Sequence, residues 1–254
     1  MAVPVFDSAV PIYPDARLAR EIITGWAVGP QPAVIFDFNG TLSDDEPILF
    51  RIFSELFGEH LNWDLSQQDY DRHLLGHSDR EIVEKALEIT GKITGADGHD
   101  VDRLLELRKH RYRDLVAGDN PIRPDTVRLV QLLAEHEVPM AIVTGAQRDD
   151  VRAVLSTSPV GELIRVVVAE EDVTSGKPDP EGFLSGAAQL GCAPTQIVVF
   201  EDSVPGVRGA LAAGMSCVAV APEPSDELAA VAPAIVARLS VDIVEHILPS
   251  LRGR

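Results

Sequence analysis

Short apolar runs rich in Val or Ile recur along this chain. They are Ala33–Phe36, Met140–Val143, Arg165–Val168, Ile197–Phe200 and Cys217–Val220. Each is too short for a helix, so each reads as a buried strand. Helical patterns lie between them. Thr126–His136 puts Val127, Val130, Leu133 and Ala134 on one face, Pro180–Leu190 stops at Gly191, and Val204–Ala213 stops at Gly214. Strands alternating with helices predict right-handed crossovers, hence an α/β fold with a doubly wound parallel sheet of at least five strands.

The first crossover is oversized. About a hundred residues separate the first run from the second, and a βαβ connection needs only a dozen or so. Helical patterns fill the interval at Glu46–Phe57, Asp79–Ile89 and Val101–Val116. The expected organisation is therefore a core from residues 1–46 and 120–254 with a helical insertion at 47–119. Thr41–Pro47 and Gly118–Pro124, polar and rich in Pro and Gly, are the expected linkers. A short helix at Asp15–Trp26 is expected near the start, with no role assigned to it.

Charge excludes some partners. The chain carries 22 Lys+Arg against 40 Asp+Glu, a formal charge of −18. Such a surface repels nucleic acid and anionic membranes. Cys192 and Cys217 match no metal-ligand spacing, and no apolar stretch reaches membrane-spanning length. Without a leader pattern, the expected location is the cytoplasm. The expected assembly is a monomer or homodimer.

In open parallel sheets ligands bind beyond the carboxyl ends of the strands. Asp37-Phe38-Asn39-Gly40-Thr41 follow the first run, Thr144-Gly145 the second, Lys177 the third by way of a loop, and Glu201-Asp202-Ser203 the fourth. Carboxylates gathered around one lysine suit a divalent cation, Mg²⁺, and a phosphoryl group. Each piece alone has a plainer reading. Asn39-Gly40 is a hairpin signal, Thr144-Gly145 a turn, Lys177 a solvated loop lysine, and Glu201-Asp202 an acidic pair at a helix start.

Taken in order, these segments resemble the haloacid dehalogenase superfamily. Asp37-Phe38-Asn39-Gly40-Thr41 is similar to its first motif, Thr144 to the second, Lys177 in SGKPDPEGF to the third, and Glu201-Asp202 in VFEDSVPGVRGALAAGM to the fourth. The last two resemble the branch that holds β-phosphoglucomutase and phosphoglycolate phosphatase. That branch carries a helical cap where the insertion lies here, with a signature matched by Leu75-Gly76-His77-Ser78. The resemblance implies a Mg²⁺-dependent phosphohydrolase for a small phosphorylated metabolite, with Asp37 forming an aspartyl-phosphate. It implies Asp37, the Asn39 carbonyl, Asp202 and Glu201 at the metal, and Thr144 and Lys177 on the phosphoryl oxygens. Gly40, Thr41 and Gly145 would line the phosphate site. His77, Ser78 and Arg80 would reach the substrate from the cap. An exposed helix-start cluster, with Arg80 paired to Glu84, accounts for the last group equally well.

Position 39 departs from the motif. The family normally has a second Asp there, which protonates the leaving group and later activates water. An amide cannot exchange a proton in that way. General acid–base help is worth roughly 10²–10⁴-fold, so weakened turnover is expected, and Asn39→Asp is expected to raise it. A catalytically impaired protein binding a phosphorylated ligand or a protein partner remains open, as does a β-phosphoglucomutase-like phosphotransferase.

Overall fold

The computed structural model describes residues 16–74, 77–92 and 99–247. The elements in chain order are α1 (Ala16–Ala27), β1 (Ala33–Phe36), α2 (Glu46–Leu61), α3 (Gln67–His73), α4 (Asp79–Ile89) and α5 (His99–Gly118). There follow α6 (Pro124–Glu135), β2 (Met140–Val143), α7 (Arg148–Leu155), α8 (Val160–Leu163), β3 (Val166–Val168) and α9 (Glu181–Leu190). The chain closes with β4 (Ile197–Glu201), α10 (Val204–Ala212), β5 (Ser216–Val220), α11 (Asp226–Val231) and β6 (Ile235–Val236).

Among the described residues six strands form one sheet, all parallel, in the order β3-β2-β1-β4-β5-β6. The two-residue β6 is a sixth strand that no hydrophobic run announces. Strand alternation sends Val34 and Phe36 to one face, with α1, α6 and α7. It sends Ala33 and Ile35 to the other, with α9, α10 and α11. Phe36 lies opposite Phe200 in register, their rings stacked at 5.6 Å. The N-terminal helix is part of this core: Ile23 and Trp26 are buried, and the Trp26 indole donates to Ala33 O at 2.9 Å.

Helices α2 to α5 occupy the interval between β1 and β2 and add no strand to the sheet. α5 packs on α2 and α4, and also on α7 beside the sheet. Arg108 pairs with Asp150, Lys109 with Asp149 at 3.0 Å, and Arg113 with Asp149 at 2.9 Å. The segments entering and leaving the insertion run side by side. Asp44 N donates to Pro121 O at 3.0 Å, and Arg123 Nε donates to Asp44 Oδ2 at 2.8 Å.

Candidate active site

The sheet order reverses beside β1, whose neighbours β2 and β4 come from opposite directions of winding, and there a crevice opens at the strand ends. Asp37 follows β1 directly, and its N–H donates to Phe200 O of β4 at 2.8 Å. Glu201 ends β4 and Asp202 follows it. One carboxylate oxygen from each of Asp37, Glu201 and Asp202 falls within a 4.8 Å cluster. Asn39-Gly40 is no hairpin turn, because β1 has only parallel neighbours. It opens a tight loop instead, with Gly40 N donating to Ser43 O and Ser43 N to Phe38 O, both at 2.8 Å.

Lys177 is not a solvated lysine. Its ammonium donates to Asp37 Oδ1 and to Glu201 Oε1, the latter at 2.6 Å. Burial opposes its charge, but the two carboxylates outweigh that and hold it firmly protonated. Burial pushes the Asp37 carboxyl up to about 7, with Lys177 pulling back and Glu201 adding repulsion. Burial and then Asp37 push Asp202 well above the ordinary range. The second oxygen of Glu201 is already used: Ser203 N donates to it at 2.6 Å and Ser203 Oγ at 2.9 Å. Glu201 therefore anchors Lys177 and the start of α10, leaving Asp37 and Asp202 as the less committed acids.

Two glycines make this density of acids feasible. Gly40 has φ +76°, and a methyl group there would come within 2.8 Å of Asp202 Cγ. A methyl group on Gly206 would overlap the Glu201 carboxyl. Thr144 N donates to Val168 O at 3.0 Å, and Thr144 Oγ1 accepts from Ala146 N at 3.0 Å, so the hydroxyl proton is available to a ligand. Thr41 is buried and its Oγ1 has no partner. Hard oxygen donors crowded until their proton affinity rises are a donor set that suits Mg²⁺.

The other expected contacts behave differently. Leu75 and Gly76 lie outside the described residues. Ser78 caps α4 in a box with Glu81, and His77 Nε2 lies 2.6 Å from Lys85 Nζ. Arg80 pairs with Asp102 at 2.8 Å and reaches Glu84 at 3.9 Å. His77 and Ser78 thus have partners on α4 itself, whereas Arg80 is held mainly by Asp102 of α5 and only approaches Glu84, the partner of the plainer reading.

A buried polar chain was missed. Asn39 Nδ2 donates to Asp45 Oδ2 at 2.7 Å, and the Tyr112 hydroxyl donates to the same oxygen. Burial pushes Asp45 up to about 6. Arg108 packs over the Tyr112 ring at 4.6 Å and pairs with Asp79 at 2.9 Å and with Asp150. Asp45 precedes a helix and reads locally as a cap, so nothing in the sequence ties it to Asn39.

Residues 34–220 match the family described as haloacid dehalogenase-like hydrolase. The chain belongs to that family. Among its relatives, protein CbbY of Rhodobacter capsulatus is 30% identical over 191 residues, which is 73% of this chain and 83% of the relative. Validoxylamine A 7'-phosphate phosphatase of Streptomyces hygroscopicus subsp. limoneus is 29% identical over 217 residues, 85% of this chain and 98% of that protein. The crystal structure of a family IA, variant 3 hydrolase from Entamoeba histolytica superposes with a TM-score of 0.74 at 22% identity. It covers 88% of this chain and 100% of its own, a likeness of fold. Among the described residues of this hydrolase, no helix is long and apolar enough to cross a membrane.

Proposed function

We propose that this hydrolase removes phosphate from a small phosphorylated metabolite, with Asp37 as nucleophile. The observation that carries the reading is a buried carboxylate at the switch point, held through Oδ1 by Lys177 beside Glu201 and Asp202. The name of the Streptomyces relative, a phosphatase of a phosphorylated validoxylamine, supports the substrate class.

With Oδ1 held by Lys177, Oδ2 is the oxygen left to attack phosphorus. The P–O bond to the substrate alcohol breaks, the alcohol leaves with a proton from solvent, and Asp37 becomes an acyl phosphate. Water then attacks phosphorus, freeing inorganic phosphate and restoring the carboxylate. The Lys177 ammonium and the Thr144 hydroxyl bind the phosphoryl oxygens, where charge is spread in the transition state. Asp37, Asp202 and the Asn39 main-chain carbonyl would hold Mg²⁺, with Glu201 supporting from behind. When bound, the ion offsets the negative charge of Asp37 and of the phosphoryl group. Helices α2 to α5 form the cap, and the adjacent linkers at Asp44 and Arg123 are its hinge.

The test is phosphate release from a panel of sugar, polyol and aryl phosphates. Turnover is expected with Mg²⁺, and loss to background with excess EDTA or in Asp37→Ala. Turnover indifferent to both treatments refutes the mechanism.

A further inference from the structure

Asn39 replaces an acid, and beside it stands an acid that the local structure does not require. Asp45 sits at the N-cap position of α2, where an Asp side chain ordinarily accepts from the helix's own free N–H groups. Here it makes no such bond. Its side chain turns inward, where it is fully buried, and Oδ2 collects two donors, the Asn39 amide and the Tyr112 hydroxyl. Oδ1 is buried with no partner. A carboxylate withdrawn from its capping role and buried with one oxygen unmatched calls for an explanation beyond helix capping.

The contacts also fix what position 39 must be. An amide has one donor and one acceptor end, and the bond from Nδ2 to Asp45 turns Oδ1 of Asn39 away from that carboxylate. An Asp at this position would set two acceptors 2.7 Å apart where a donor now meets an acceptor. Tyr112 extends the same linkage into α5, on the inserted helices.

We propose that Asp45 is a positioning residue for the reaction: it holds the Asn39 side chain in one orientation, joins it to Tyr112 of the cap, and forms with Asn39 a matched pair in which neither member can be exchanged alone. The role in the reaction rests on the proposed function. The amide of Asn39 is then the group this site is built around, and Asn39→Asp alone slows the protein instead of accelerating it.

The test is a double-mutant cycle in the full chain: parent, Asn39→Asp, Asp45→Asn and the exchanged pair Asn39→Asp/Asp45→Asn. p-Nitrophenyl phosphate with Mg²⁺ gives kcat and KM, and thermal melting is followed in parallel. In the exchanged pair the donor and acceptor trade places: the new amide, on the α2 cap, donates to the new carboxylate, on the loop after β1. The Tyr112 hydroxyl can turn to accept from that amide. Each single variant is expected to lose kcat by roughly ten- to a hundredfold, the scale of a misplaced group near the reacting atoms, with KM little changed. The exchanged pair is expected to return to the parent kcat or above it, and melting is expected to be non-additive in the same sense. A single Asn39→Asp at least as fast as the parent, or effects that simply multiply in the exchanged pair, overturns the proposal. A parent without Asp37-dependent turnover refutes the proposed function and with it the part of Asp45 in the reaction. Melting then judges the pairing, and additive shifts overturn that as well.

Discussion

Metal binding at this site must displace protons, and the structure sets the scale. Asp37 is pushed up to about 7 by burial, so in the metal-free protein it is mostly neutral at pH 6 and mostly ionised at pH 8. A cation binds only the ionised form, so its apparent affinity is divided by one plus the ratio of protonated to ionised Asp37. For a group titrating near 7, that divisor is about 11 at pH 6 and about 1.1 at pH 8, so apparent affinity falls about tenfold on acidification. Asp202, raised in the same direction, steepens the fall. Lys177 stays charged throughout and adds no slope. Calorimetric titration of Mg²⁺ at pH 6, 7 and 8, in buffers of different ionisation enthalpy, reads affinity and released protons together. Weaker binding at pH 6, with about one proton released per ion from Asp37 and any further release from Asp202, is the expected outcome. Asp37→Asn should remove most of the slope. Affinity constant to within about twofold from pH 6 to 8, with no proton released, would show that Asp37 does not take part in binding the ion.

Gly40→Ala places a methyl group against the Asp202 carboxyl on a backbone at φ +76°, so it should lose Mg²⁺ affinity and about 1–2 kcal/mol of stability. Gly145→Ala meets nothing within 4 Å and should fold like the parent, so melting curves with and without Mg²⁺ separate the two. Arg108→Leu strands the buried Asp150 and the half-shielded Asp79, and should cost about 3–5 kcal/mol in urea unfolding at pH 7. Burial raises the Asp79 carboxyl and Arg108 pulls it back, so without Arg108 it titrates higher still in the fold. The loss should therefore shrink as pH falls toward 5, and a loss independent of pH would contradict the account.

The sheet and the site's first residues were legible because their causes are local. Ala33–Phe36 and Ile197–Phe200 are apolar on both faces, and only a central parallel strand keeps such a run dry on both sides. Asp37, Glu201 and Asp202 follow from strand ends alone, since parallel neighbours in register bring their last residues together. β6 was invisible because Ile235–Val236 is too short to show a period, and α3 because Gln67–His73 is polar with a single buried residue, Tyr70. The cap contacts read from Leu75–Arg80 rested on a short signature whose residues also suit a helix start. Ser78 is engaged there by Glu81, and Arg80 by Asp102.

Asp45 is the instructive omission. An Asp before Glu46-Pro47 satisfies every rule for a helix N-cap, so local reasoning is content and stops. Its partners are six and sixty-seven residues away, and only the tertiary fold brings Tyr112 back over the loop that carries Asn39. The departure at position 39 was plain because a motif exposes any residue that breaks it. The acid that binds the Asn39 amide was hidden because it obeys the local rules where it stands. A lost carboxylate in such a site is therefore not evidence of lost function until each buried acid near the altered residue has been checked for a donor it has acquired. In this fold that check leads from the Asn39 amide to Asp45, and through the Tyr112 hydroxyl to α5 of the inserted helices.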